Sequence, residues 1–134
     1  KVENVIILGH RQCGGIRALL YPEETHAGGF VQQWMKIAEP AKIRALATPS
    51  AAGHDSLWRQ CELESIRTSL ENLRTFPFVT EAIKSRDMLL RGIYFDLEKG
   101  ELLELDETTG QWTSVFSSST FSNLGDGSDP ADIV

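Results

Sequence analysis

The sequence predicts an α/β fold, as part of a mainly parallel β-sheet flanked by helices, with a C-terminal antiparallel hairpin. Continuous apolar runs at residues 5–8 and 93–95 are typical of strands covered on both faces. The segments between these two runs have the apolar spacing of helices. Residues 102–105 and 111–115 follow turns that contain glycine, which predicts antiparallel strands near the end of the chain.

The elements of the first half follow from this pattern in order. The opening strand at residues 5–8 leads into a short predicted helix at residues 16–20. A loop rich in Pro and Gly comes next, because these residues interrupt regular structure. Helical spacing resumes over residues 30–47, and Pro40 is expected to break or restart that helix because it lacks an N–H donor.

The clearest predicted helix covers residues 57–74. Its apolar side chains form one stripe that includes Cys61, and we interpret Glu62 as lying outside this stripe. Cys61 is therefore predicted to be a core residue. Asp55 or Ser56 is expected to cap the start of the helix, because both side chains can accept a hydrogen bond from its first N–H groups.

The second half of the chain is predicted to return to the sheet. Pro77 ends the long helix, residues 79–86 form another short helix, and residues 88–97 contain the second parallel strand. The three tryptophans are predicted to anchor the core or an interface rather than to contact a substrate. They are Trp34, Trp58 and Trp112.

Composition excludes several classes of function. The chain has 134 residues and a formal net charge of −6, which argues against nucleic acid as a partner because binding it needs basic patches. Neither an apolar run of membrane length nor a signal peptide is visible, so no membrane association is predicted. Two cysteines in a chain of this size are typical of a reducing compartment, and we expect a cytoplasmic protein.

The turn after the first strand holds the most informative residues, His10 and Cys13. Zinc accepts an imidazole nitrogen at about 2.0 Å and a thiolate sulfur at about 2.3 Å. Gly14 and Gly15 would allow a ligand to approach the backbone closely, and their N–H groups would begin a helix. The alternative is that Cys13 packs in the core and His10 has no functional role. It stays open because strong zinc motifs carry two such pairs.

The order of these segments resembles the β-class carbonic anhydrases. Residues 6–15, a strand followed by Gly-His-x-x-Cys-Gly-Gly, are similar to the second zinc-binding segment of that family. The similarity covers about residues 2–116 and continues through residues 30–35, 64–79 and 90–96, with Gly100 and Leu102. We therefore assign residues 1–116 to the C-terminal portion of a β-carbonic-anhydrase-like domain, and residues 117–134 to a polar tail that is expected to be flexible.

The resemblance implies a zinc-dependent lyase that interconverts carbon dioxide and bicarbonate. In this family a Cys, a His and a second Cys hold the zinc, and the last two match His10 and Cys13. The backbone N–H of Gly14 matches the position that binds bicarbonate. The first Cys belongs to a Cys-x-Asp-x-Arg segment that this chain does not contain. The resemblance thus implies two partners: the upstream half of the same enzyme, and a second copy in a homodimer or higher oligomer.

Two rival classes of function stay open at this point. A catalytically inactive α/β fragment that binds a partner through its uncovered sheet face would hold no zinc. A structural zinc module completed by another subunit would hold the metal tightly without hydrating carbon dioxide. A metal assay followed by a hydration assay separates these classes from the enzyme.

Overall fold

The computed structural model describes residues 2–25, 29–49 and 53–118, and it confirms the α/β class. Of the predicted tail, residues 119–134 lie outside the described ranges. The elements in chain order are β1 (Asn4–His10), α1 (Gly14–Leu20), α2 (Gly29–Met35), a 3₁₀ turn (Lys36–Ala38), α3 (Glu39–Leu46), α4 (His54–Arg74), α5 (Pro77–Arg86), β2 (Leu89–Asp96), β3 (Glu101–Asp106) and β4 (Gln111–Ser117).

The described strands form one sheet in the order β1-β2-β3-β4. Strands β1 and β2 are parallel, with Asn4 opposite Leu89 and His10 opposite Phe95. A parallel pair needs a long crossover, and helices α1 to α5 supply it. Strands β2, β3 and β4 are antiparallel neighbours. Both the parallel pair and the C-terminal hairpin are therefore as predicted.

Helix α4 packs on one face of the sheet and leaves apolar side chains on the other. Ile66 and Leu70 of α4 pack against Tyr94 of β2 in one buried cluster. Burial alternates along β1, so that Ile6 and Leu8 on the opposite face are 54% and 63% exposed. This exposure is unusual, because a strand in a parallel pair is normally covered on both faces.

Two glycines allow α4 to approach the sheet closely. A Cβ atom at Gly9 would lie 2.7 Å from Cδ1 of Ile66, and one at Gly92 would lie 2.9 Å from Cγ2 of the same side chain. Carbon atoms make favourable contacts at about 3.5–4.0 Å, so neither position has room for a side chain. The close approach brings Glu62 of α4 to the turn that follows β1, where it contacts Cys13.

Of the predicted helix boundaries, the cap of α4 is wrong and the two proline positions are confirmed. Helix α4 begins at His54 after Gly53, whose φ is 97°, so neither expected capping residue is its N-cap. Pro77 lies in the first turn of α5 after an extended Phe76, and Pro40 lies in the first turn of α3. Both prolines therefore start helices, where a missing N–H carries no cost.

The burial of the singled-out core residues is mostly as predicted. Cys61 is 0% exposed. Trp58 and Trp112 are partly buried against the core clusters. Trp34 is 70% exposed, so the prediction that it anchors the core is wrong, and an interface role stays a prediction. In the described ranges, no helix combines the length and the apolar character needed to cross a membrane.

Candidate functional site

The turn between β1 and α1 lies at the carboxyl edge of the parallel strands, where α/β proteins bind ligands. The N–H of Arg11 donates to the carbonyl of Phe95 at 2.9 Å, which extends the contact with β2 past the end of β1. Gln12 has a φ of 58°, in the left-handed region. Such a conformation costs a residue other than glycine about 1–3 kcal/mol and persists where tertiary contacts impose it.

Ionic contacts with the β2–β3 turn fix this conformation. Nε of Arg11 lies 2.8 Å from a carboxylate oxygen of Glu98, and Nε2 of Gln12 donates to the other oxygen at 2.6 Å. Asp96, which is fully buried, accepts the backbone N–H groups of Glu98 and Lys99 at 3.2 Å. The end of β2 thus holds the turn in place from one side.

His10 and Cys13 line the same cavity, which has a volume of about 430 Å³. Nδ1 of His10 lies 2.9 Å from the carbonyl oxygen of Arg11. When Nδ1 carries the proton, this hydrogen bond leaves the lone pair of Nε2 free for a metal. Cys13 is half-buried and is a free thiol. The structure therefore brings the two predicted ligands to one cavity.

The donor set at this cavity fits zinc in kind but is incomplete in number. Among the described residues, no three His, Cys, Asp or Glu side chains are grouped so that they could hold a metal ion. A catalytic zinc site uses three protein ligands and keeps its fourth position for water. His10 and Cys13 can supply two of the three. That they do so stays a prediction.

Gly14 is the first residue of α1 and has open space beside it. A Cβ atom at Gly14 would meet nothing within 4 Å. The first N–H groups of a helix have no partner within the helix, so they can bind a ligand. The geometry is compatible with the predicted contact between this N–H and bicarbonate, which stays a prediction.

Glu62 is the site residue that the sequence interpretation placed wrongly. It is only 2% exposed. One carboxylate oxygen accepts the N–H of Cys13 at 2.8 Å, and the other accepts the O–H of Tyr94 at 2.8 Å. Burial raises the pKa of Glu62, and the two hydrogen bonds oppose that rise only in part. Burial and the hydrogen bond to Glu62 also raise the pKa of Tyr94.

One signal in the sequence could have identified Glu62. It lies four positions before Ile66 and eight before Leu70, and these three residues share one side of a helix. Both apolar residues are buried against the sheet. A charged residue in an apolar stripe is informative, because carboxylates are rarely buried without a partner.

Comparisons with known proteins agree with the fold. Residues 1–102 match the family model described as carbonic anhydrase. Beta carbonic anhydrase 3 of Arabidopsis thaliana is 35% identical over 113 residues, which are 81% of this chain and 44% of that protein. The structure of the β-carbonic anhydrase CcaA superposes with a TM-score of 0.77 and 26% identity, over 87% of this chain and 53% of that one.

A third relative is one of two tetrameric β-carbonic anhydrases from the fungus Sordaria macrospora. Its structure superposes with a TM-score of 0.67 and 22% identity, over 84% of this chain and 54% of that one. The chain therefore spans about half the length of these relatives. Because the family model matches most of the chain and the plant protein shares a third of its residues, the chain belongs to the β-class carbonic anhydrase family.

Proposed function

We propose that this chain contributes two zinc ligands, His10 and Cys13, to an enzyme that reversibly hydrates carbon dioxide to bicarbonate. The observation that carries the proposal is that both side chains line one cavity at the carboxyl edge of the parallel strands. When bound, a zinc ion supplies the activation of water at neutral pH. The third ligand, a cysteine, comes in this proposal from the upstream half of the same enzyme.

The chain's own residues have separable roles in this proposal. The Arg11 carbonyl fixes the ring of His10 through Nδ1, so that Nε2 is the ligand atom. The N–H of Gly14 holds the bicarbonate anion, beside the open space at the start of α1. Apolar side chains of β1 and α1, among them Leu8 and Ile16, line the cavity and suit uncharged carbon dioxide.

The exposed face of the sheet supports the proposal that other polypeptide completes the protein. β1 lies at one edge of the described sheet, and Ile6 and Leu8 of its outer face are more than half exposed. We propose that the upstream half of the enzyme covers the edge of β1 and that a second copy of the chain packs nearby. The Sordaria macrospora relatives are tetramers, which supports the second of these proposals.

We propose a cytoplasmic location because neither cysteine forms a disulfide. Both Cys13 and Cys61 are free thiols. Disulfides are rare in the cytosol and frequent in secreted proteins. A zinc ligand such as Cys13 must also stay reduced in order to bind the metal.

The proposal is tested by zinc content and carbon dioxide hydration. We would prepare the chain alone and the chain joined to the residues that its gene encodes before Lys1. The longer form is expected to bind one zinc per chain and to hydrate carbon dioxide. His10→Ala and Cys13→Ala should each lower both zinc content and activity to background. His54→Ala is the matched control, because His54 is exposed and stacks on Tyr21 outside this turn.

The rival functions predict different results in the same assays. Zinc bound tightly by the longer form without hydration activity would indicate a structural zinc module. Absence of bound zinc in both forms, with association that survives a chelator, would indicate a module that binds a partner. Either result would overturn the proposed enzyme.

A further inference from the structure

We infer that Glu62 is a positioning residue that holds Cys13 in place as a zinc ligand, an inference that rests on the proposed function. Glu62 lies on α4, whereas Cys13 ends the turn after β1, so the contact joins segments that are 49 residues apart in sequence. No interaction with the metal itself is required of Glu62. Its role is to fix the backbone from which the sulfur is presented.

The geometry restrains both polar groups of the Cys13 backbone. Glu62 accepts the Cys13 N–H at 2.8 Å. Nε1 of Trp58, one helical turn earlier on α4, donates to the Cys13 carbonyl at 3.2 Å. The second oxygen of Glu62 accepts the O–H of Tyr94, which is 0% exposed on β2. Helix α4 and strand β2 therefore fix the position of Cys13 together.

A purely structural role does not explain a carboxylate at this position. Glu62 lies on the same side of α4 as Ile66 and Leu70. An apolar side chain at this position would pack against the sheet at no desolvation cost. Its hydrogen-bonding partners are a neutral N–H and a neutral O–H, and the positive charge of Arg11 offsets the burial of its charge only in part. What the carboxylate adds is a pair of hydrogen bonds that link the Cys13 N–H to the buried Tyr94 hydroxyl. Partners of this kind orient metal ligands, and their loss lowers metal affinity about 10- to 100-fold.

Glu64 provides a matched control on the same helix. It is also buried, at 9% exposure, but its carboxylate pairs with Arg44 at 3.2 Å and with Arg67 at 3.6 Å. Removing Glu64 thus deletes a buried carboxylate of α4 without touching Cys13. A general effect of losing charge or packing in α4 would therefore appear in both alanine variants.

Zinc affinity is measured by competition with a chelator. The measurement uses whichever of the two forms, the chain alone or the longer form, binds zinc. Glu62→Ala is expected to weaken zinc binding about 10- to 100-fold, whereas Glu64→Ala leaves it unchanged. Glu62→Gln should restore most of the affinity, because its amide oxygen can accept the Cys13 N–H. Tyr94→Phe should have a smaller effect than Glu62→Ala, because it leaves the Cys13 bond in place. If Glu62→Ala does not fold, Glu62→Leu takes its place, because leucine fills a similar volume but cannot accept the Cys13 N–H. Zinc affinity in Glu62→Leu equal to that in Glu62→Gln would overturn the inference.

Hydrogen exchange at the Cys13 amide gives a second readout in the metal-free chain. Glu62→Ala should remove the protection of this amide, and Glu64→Ala should preserve it. Equal zinc affinity in the wild type and Glu62→Ala would overturn the inference and leave the proposed function standing. If the wild type bound no zinc, the proposed function would fail. The exchange result alone would then show whether Glu62 holds the turn.

Discussion

At the scale of single residues, the two cysteines have opposite environments. Cys13 is half-buried and lines the cavity, whereas Cys61 is 0% exposed and packs in the core cluster of α1, α3 and α4. Burial raises the pKa of Cys61 to about 12. Only a thiolate binds metal or reacts as a nucleophile, so Cys61 is inert and Cys13 is the chemically available thiol.

The raised pKa of Cys61 predicts a loss of stability at high pH. Below about pH 8 both the folded and the unfolded chain keep the proton, so the stability is complete there. As the pH rises towards 12, the unfolded chain loses this proton first, and the free energy of unfolding falls by about 1 kcal/mol by pH 10. Urea unfolding at a series of pH values measures the decline. Cys61→Ala should flatten it, and an equal slope in that variant would contradict the assignment.

At the scale of elements, the packing of α4 on β1 and β2 positions the site. Gly9 and Gly92 leave space for Ile66, and the resulting closeness puts Glu62 within hydrogen-bonding distance of the Cys13 N–H. The position of the cavity wall thus depends on two residues that have no side chain. A change that pushes α4 outwards would disturb both the core and the turn.

The effect of filling this space can be measured with Gly92→Ala. The new methyl group would lie 2.9 Å from Cγ2 of Ile66 and 3.0 Å from Cδ1 of Leu70, so we expect a loss of about 1–3 kcal/mol in the free energy of unfolding. Gly29→Ala is the control, since a Cβ atom there meets nothing within 4 Å. Denaturant titration of both variants compares them. A Gly92→Ala protein as stable as Gly29→Ala would show that α4 can shift freely.

Local patterns predict the elements of this chain better than they predict its contacts. The run at residues 5–8 and the helical stripe around Cys61 identify β1 and α4 from sequence, although the predicted cover on both faces of β1 is wrong for Ile6 and Leu8, which are exposed. The partner of Glu62 could not, because the turn that it meets lies far away in the chain. The boundaries at Pro40 and Pro77 could be found, because proline lacks an N–H and disfavours helical geometry in the residue before it.

At the scale of the whole molecule, the face of the sheet opposite α4 exposes apolar side chains in the described part of the chain. Ile6, Leu8 and Leu89 lie on β1 and β2 and are 54%, 63% and 58% exposed. Ile93 and Phe95 of β2 alternate onto the same side and are half-buried. An apolar surface of this kind is typical of sites of association, in keeping with the partners proposed above.

Substitution of Ile6 tests whether this surface associates. The full chain is expected to sediment as an oligomer, and Ile6→Lys should raise its dissociation constant about 10- to 100-fold, because one isoleucine loses about 1.5–3 kcal/mol of burial. Ile43→Lys is the control, as Ile43 is similarly exposed, at 62%, but lies on α3. Analytical ultracentrifugation over a range of concentrations gives both constants. Equal effects of the two lysines would show that β1 is not in the interface.

The parallel pairing of β1 with β2 also has a consequence for biosynthesis. Asn4 pairs with Leu89, so β1 leaves the ribosome long before its neighbour in the sheet has been translated. Until then the nascent chain carries the apolar strand β1 without the β2 partner beside which it lies in the folded protein. The hairpins of β2, β3 and β4 join residues close in sequence and can form at once. The turn that carries His10 and Cys13 therefore lacks its contacts to Glu62 and Glu98 until those residues have been translated.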